Sequence, residues 1–336
     1  MNPNHMSDLF EILDSAPSTI IADSFVITKS KLERYENIMV SISGGADSDI
    51  MLDLVIRLQD GKNIRYVFFD TGLEYAATKE HLKYLEQKYG IQIEIEKAVK
   101  PIPLSCRQYG QPFVSKTVSE FISRLQRHNF KWEDRPFEEL LKEYPRCKSA
   151  LKWWCNTKDN KKDGSESSFN ISHNKWLKEF IIANPPDFKI SNKCCKYAKK
   201  EVATQYKKQH GIDLSMVGVR KAEGGARVFA YKSCFSSNEG DADEFRPIFW
   251  YKNGDKKDYD AAYEITHSKC YSCYGLKRTG CAGCPFGQNF EQELAVIEKH
   301  EPKLYKAVNN IFGKSYEYTR KYREFASMKE EEEAAK

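Results

Sequence analysis

The sequence predicts an α/β protein built on a doubly wound parallel sheet, with a cysteine-bearing, helical C-terminal part. Three observations carry this. Compact apolar runs of strand type alternate with helix-periodic stretches between residues 35 and 100, the pattern of βαβ units. The first strand runs into a turn with two adjacent glycines, and the second ends in Asp70-Thr71-Gly72. Polar turns therefore fall where open parallel sheets present their ligand loops. The close groups of cysteines and the longest helical stretch come later in the chain.

Residues 1–34 read as a lead-in with a short helix around Asp8–Leu13. Ile38-Met39-Val40 is the first strand, and Ser41-Ile42-Ser43-Gly44-Gly45-Ala46-Asp47-Ser48-Asp49 is the turn. Ile50, Met51, Leu54, Val55 and Leu58 then recur with helical spacing. Two glycines let the backbone approach a ligand. Ser48 or Asp47 can cap the helix, whose free N–H groups make an anion site. The loop has no Gly-Lys-Ser/Thr triplet, so it is not a Walker A loop of the usual kind. An ordinary tight turn would use the same residue types, so spacing alone leaves a structural and a phosphate-binding reading open.

Ile64–Phe69 is the second strand, Ala76–Tyr89 a polar helix stopped by Gly90, and Ile91–Val99 the third strand. A helix is expected from about Lys116. Trp132–Trp154, rich in aromatic and charged residues, reads as an insertion, and Asn156–Asn170 as a polar loop. These features divide the chain into a nucleotide-binding part at 35–155, a linker or loop at 156–172, a second part at 173–288 and C-terminal helices at 289–336. In the second part, a helix at about Asn174–Ala183 stops before Pro185-Pro186, and Leu214–Val219 is a buried strand ending in Arg220. The planar guanidinium of Arg220 suits a phosphate or sulfate. The acidic run Glu330–Glu333 reads as a solvated helix end.

With 336 residues, 40% hydrophobic and 30% charged, the composition is globular rather than disordered. No apolar run has the length of a membrane span, and no charged-then-apolar leader opens the chain, so a cytoplasmic protein without membrane contact is expected. A net charge of +5 permits an anionic or nucleic-acid partner without arguing for one. Ten cysteines in such a chain point to metal or catalysis before disulfides. Cys281-Ala282-Gly283-Cys284 is a knuckle suited to zinc or an iron–sulfur cluster. Spacing offers Cys270 and Cys273 to complete it. Cys106, Cys147, Cys155 and Cys234 stand apart and are expected as small core residues.

Ser43-Gly44-Gly45-Ala46-Asp47-Ser48 resembles the Ser-Gly-Gly-X-Asp-Ser loop of the PP-loop ATP pyrophosphatases and of their relatives, the APS/PAPS reductases. The resemblance implies an adenine nucleotide alpha hydrolase-like fold. It implies that Ser43, Gly44, Gly45, Asp47 and Ser48 cradle the phosphates of ATP, APS or PAPS with Mg2+, and that Asp70 lies at the nucleotide's edge. Position X, often lysine in those families, is Ala46 here. Gly218–Glu223 resembles the families' Gly-X-Arg-X-X-Glu segment, which places Arg220 near nucleotide and substrate, and Arg246-Pro247-Ile248 resembles a segment that follows. A Cys-Cys pair, a long gap and Cys-X-X-Cys is the 4Fe-4S pattern of the assimilatory APS reductases. It implies that Cys194, Cys195, Cys281 and Cys284 hold a cluster, in competition with the local set that uses Cys270 and Cys273, and with zinc as the alternative metal.

The reductases of this kind also carry a nucleophilic cysteine in a short C-terminal tail, whereas no cysteine follows Cys284 here. The expectation is thus an enzyme that activates a substrate through ATP for sulfur transfer, with Asp47 and Arg220 in catalytic roles. Nucleic acid or a small molecule would be the acceptor, with a sulfur donor protein as partner. An APS/PAPS reductase releasing sulfite is the alternative, and a nucleotide- or nucleic-acid-binding regulator with a structural cluster is the second.

Overall fold

The strands are β1 (Ile38–Ile42), β2 (Ile64–Asp70), β3 (Ile93–Lys97), β4 (Leu214–Val217), β5 (Phe235–Ser236) and β6 (Asp243–Phe245). They form one sheet in the order β3-β2-β1-β4-β6-β5. All neighbouring pairs are parallel except β5 with β6. The computed structural model describes residues 10–59, 61–160, 163–224 and 231–335. The helix expected at Asp8–Leu13 begins outside the described residues; residues 10–14 are helical.

By contact, the chain divides into two compact units. The first comprises Met1–Val99 and Ala198–Cys281 and contains the sheet. Its central strand β1 has buried Ile38, Met39, Val40 and Ile42 and is paired in register on both sides, Ile38 facing Ile64 of β2 and Leu214 of β4. A strand covered on both faces reads as a continuous apolar run, which is why it was visible in sequence. The helix Ala46–Leu58 packs beneath it with Ile50, Met51, Leu54 and Val55 fully buried. The helix Ala76–Tyr89 ends where expected, because Gly90 takes the left-handed conformation (φ +63°) that terminates helices.

Strand order runs outward from β1 to β2 and β3 on one side, and to β4 and β6 on the other. The junction of β1 with β4 is therefore a topological switch point, and the loops leaving these two strands flank a crevice at their carboxyl ends. Those loops are Ser43–Ser48 and Gly218–Arg220.

The second unit comprises Lys100–Tyr197 and Ala282–Lys336. No strand lies within it among the described residues. Its core is aromatic: Phe113, Phe121, Trp153, Trp154, Phe180 and Tyr318 are buried together. The stretch Trp132–Trp154, read as an insertion, contributes Leu140, Tyr144, Leu151, Trp153 and Trp154 to this core. The helix Lys148–Trp154 buries both tryptophans, and the Trp154 indole donates to the Glu133 carbonyl at 2.8 Å. The polar loop 156–172 also lies inside this unit. The C-terminal stretch forms the helices Phe290–His300 and Pro302–Ala334. No described helix is long and apolar enough to cross a membrane.

Candidate functional site

The glycine loop leaves β1 and enters the helix Ala46–Leu58 with Gly45 as its N-cap, without a side-chain cap. The expected cap by Ser48 or Asp47 is not made. Ser48 is buried, and its hydroxyl accepts from the backbone N–H of Ser43 at 3.0 Å, drawing the loop closed across its own mouth. Ser43 Oγ accepts from the Gly45 N–H at 3.3 Å. The N–H of Ala46 donates to the Tyr271 hydroxyl at 3.0 Å, and that hydroxyl is also 3.1 Å from Thr279 Oγ1. Gly44 adopts φ +65°, and a Cβ there would sit 2.7 Å from Thr78 Cγ2, so conformation and space both demand glycine.

Asp47, in the first helical turn, is the electrostatic centre of the loop. Its Oδ2 accepts from Arg220 Nε at 2.9 Å and its Oδ1 from Lys256 Nζ at 3.0 Å. Arg220 is buried at 8% exposure and donates again to Asn253 Oδ1 at 3.1 Å. An arginine following a strand would ordinarily be a surface residue; here the guanidinium is brought to the glycine loop because Gly218 lets β4's exit pass against it. A Cβ at Gly218 would lie 2.8 Å from the Asp47 carbonyl oxygen and 2.9 Å from Ser48 Cα. Ser43, Gly44, Gly45, Asp47, Ser48 and Arg220 thus come together around the switch point. Arg246 does not take part: it is buried under β5 and β6, donating to the Ser233 carbonyl and Ser236 Oγ and pairing with Glu244.

Asp70 ends β2 and accepts from the Gly72 N–H at 2.8 Å, with Lys79 at 3.4 Å. Beside it Glu74, which the sequence did not single out, accepts from the backbone N–H groups of Thr71 and Leu73. Burial, then the hydrogen bond with Asp70, raises Glu74 above the usual carboxylate range. Burial opposes ionisation of Asp70 too, but the hydrogen bonds from Glu74 and Gly72 and the charge of Lys79 hold it below that range. A proton shared by the two carboxyl groups therefore belongs on Glu74, leaving Asp70 anionic.

A buried polar row backs the loop. Asp49 and Asp53 lie four residues apart on one face of the helix, and both are almost fully buried. Asp49 Oδ2 is 2.9 Å from His267 Nδ1 and 3.0 Å from His81 Nε2, and His267 Nε2 is 3.1 Å from Asp260. Burial works against protonation of His267, but its two carboxylate partners outweigh it and raise the imidazole to about 9. Asp53 accepts from Arg57, Tyr89 and Tyr259. Aspartates spaced by four on an apolar helix are a sequence signal that could have found this row.

Of the expected metal ligands, Cys194, Cys195 and Cys284 fall in the second unit, and Cys281 is the last residue of the first. Cys194 is buried on a single helical turn, Lys193–Cys195. Its thiol hydrogen-bonds to Cys106, which pushes its pKa up, as do burial and nearby Cys284, while a hydrogen bond with Cys195 opposes them. Cys106, expected as an isolated core residue, is thus a neighbour of the Cys194 thiol. In the first unit Thr71 Oγ1 lies 3.8 Å from Cys281 Sγ, Cys270 is buried against Thr78, and Cys273 is exposed. Among the described residues, no three histidine, cysteine or carboxylate side chains are gathered as a metal-holding group. Soft sulfur ligands suit a thiophilic centre, and the Cys194 thiol has Cys106, Cys195 and Cys284 as neighbours within the second unit.

Residues 37–115 match the phosphoadenosine phosphosulfate reductase domain family. An uncharacterised protein of Methanocaldococcus jannaschii is 32% identical over 95 residues, 27% of this chain. That match spans a fifth of the relative's length, 20%. Among solved structures, the phosphoadenylyl-sulfate reductase of Candida auris, in a phosphate complex, is similar at 12% identity and TM-score 0.42, covering 77% of this chain and 87% of that one. The U34-tRNA thiolase NcsA of Methanococcus maripaludis, with its [4Fe-4S] cluster, is similar at 12% identity and TM-score 0.39, covering 92% and 80%. The FMN adenylyltransferase of Candida glabrata, with FAD and pyrophosphate, is similar at 9% identity and TM-score 0.38, covering 83% and 72%. The matched residues 37–115 run from the first strand and its glycine loop to the start of the second unit.

Proposed function

We propose that this protein is a PP-loop enzyme that binds ATP and activates an acceptor for sulfur transfer. The observation that carries the reading is the convergence of Ser43–Ser48 and Arg220 at the switch point between β1 and β4. The start of a helix favours phosphate, and a buried guanidinium beside it favours anionic oxygen.

In the reaction, an acceptor oxygen attacks the α-phosphorus of ATP. The bond from that phosphorus to the bridging oxygen breaks, and pyrophosphate leaves with its electron pair. Arg220 holds charge on the departing phosphates, the loop amides fix the polyphosphate, and anionic Asp70 sits at the nucleotide's edge. Magnesium, where bound with ATP, neutralises phosphate charge. Asp47 orients both Arg220 and the start of the helix. Cys194, Cys195, Cys281 and Cys284 are the proposed ligands of a 4Fe-4S cluster, which supplies a sulfur-rich redox and Lewis-acid centre when bound; zinc is the alternative occupant. The acceptor is a nucleic acid or a small molecule, with sulfur delivered by a donor protein.

The match to a reductase domain favours sulfonucleotide reduction as the second reading. Anaerobically purified protein, assayed with ATP, APS and PAPS, separates the two. The first reading expects pyrophosphate from ATP in the presence of acceptor, AMP released from the adenylated acceptor once a sulfur donor is supplied, and no sulfite from either sulfonucleotide. Sulfite release from APS or PAPS would establish the second reading. Binding of nucleotide without turnover of any of the three would make the chain a nucleotide-dependent regulator.

A further inference from the structure

Asp47 carries one negative charge, yet two cations are fixed on it. Arg220 and Lys256 hold separate oxygens of the same carboxylate, at 2.9 and 3.0 Å. This leaves a net positive charge at the start of the helix Ala46–Leu58, where the helix dipole already favours an anion. Lys256 is not a stray surface lysine. It lies on the helix Asn253–Ala262, three residues after Asn253, and both side chains point to the same place: Asn253 accepts from Arg220, and Lys256 donates to Asp47. The Lys256 side chain is only 20% exposed, and the helix carrying it is fixed at its start by Asp255, which accepts from the Lys252 N–H at 2.8 Å. The loop itself brings no cation, since position 46 is alanine.

We infer that Lys256 is a phosphate ligand of the nucleotide site, forming with Arg220 a two-cation clamp in which the Asp47 carboxylate stands in for the phosphate. The inference rests on the nucleotide reading above. Asp47 presents two oxygens to the clamp as a phosphoryl group would. An incoming polyphosphate carries more charge than one carboxylate and draws both cations from it. Arg220 supplies directed, planar contacts, and Lys256 a mobile point charge that follows the phosphate. The charge absent from the loop is thereby restored from a helix more than two hundred residues later in the chain.

The test uses the full-length protein, with Lys256→Gln and Lys256→Arg variants, and calorimetric titration with ATP, inorganic pyrophosphate and adenosine. Loss of one charge-assisted contact is expected to weaken pyrophosphate and ATP about tenfold or more in Lys256→Gln. Lys256→Arg should recover most of that loss. Any adenosine affinity should be unchanged, and the melting temperature of the ligand-free variants should move little, since a partly exposed ion pair contributes little to stability. If wild type binds ATP and pyrophosphate and Lys256→Gln binds both equally well, Lys256 serves only to pair Asp47 and the clamp is refuted. If Lys256→Gln weakens adenosine as much as pyrophosphate, its effect is on the loop's shape, and the phosphate contact is refuted. If wild type binds neither ATP nor pyrophosphate, the nucleotide reading itself fails and the inference falls with it.

Discussion

At the residue scale, Arg220 is the side chain whose chemistry is least replaceable. Its Nε and Nη1 bond two different acceptors, Asp47 and Asn253, a geometry an ammonium cannot reproduce. Arg220→Lys should keep the charge and most of the stability yet lower turnover by tenfold or more; steady-state kinetics with ATP check this, and an unimpaired lysine variant would make the arginine incidental. His267 gives a second prediction, of opposite kind. Its pKa is raised in the fold to about 9, so its ion pairs contribute fully below its unfolded value of about 6.5 and are lost as pH rises through 9. Urea unfolding should therefore show wild-type stability falling by up to about 3 kcal/mol between pH 6.5 and 9.5, and His267→Gln should flatten that fall. The glycine loop and Arg220 stood out because each directly follows an apolar strand and lies in a segment that resembles one of the PP-loop families. Lys256, Glu74, His81 and His267 did not, since only the folded chain brings them to Asp47, Asp70 and Asp49.

At the element scale, the strands buried on both faces were the easiest to read. β1 and β2 appeared within a residue or two of their ends, and the helix Ala76–Tyr89 with its terminating Gly90 at the expected ends. Ile91–Val99 shortened to Ile93–Lys97, because β3 is a sheet edge with Ile95 and Lys97 exposed and its apolar signal runs on into the turns. The helix expected from Asn174 starts at Leu177, behind a short 3-10 turn at Ile171–His173. Trp132–Trp154 read as an insertion from its mixed aromatic and charged residues; Trp153 and Trp154 lie in the buried core of the second unit. The exit of β4 makes a prediction at this scale. Gly218→Ala would drive a methyl group into the backbone of Asp47 and Ser48, where neither strand nor helix can yield. It should cost about 1–3 kcal/mol of stability and weaken ATP binding. An alanine variant with wild-type stability and affinity would mean that the two loops do not need this close approach.

At the scale of the whole molecule, two units with separate cores divide the chain at residues no compositional shift marks, near Lys100, Ala198 and Ala282. The cysteine pattern spans that division in sequence: spacing offered Cys270 and Cys273 beside Cys281 and Cys284, and the family resemblance implied Cys194 and Cys195 instead. Replacement separates them: Cys194→Ser should lose iron and the brown absorbance with a clear loss of stability, because metal bound only by the folded protein contributes to folding. Cys270→Ser should retain its iron. The reverse pattern in metal analysis would move the centre to the local knuckle. The central claim, however, is that the loop after β1 holds the phosphates of a nucleotide, and amide hydrogen exchange with and without ATP tests it most directly. The account predicts that ATP slows exchange at Ser43–Ser48 and at Val219–Glu223, with the sheet core unchanged. Saturating ATP that protects other segments and leaves these two at their ligand-free rates would contradict it.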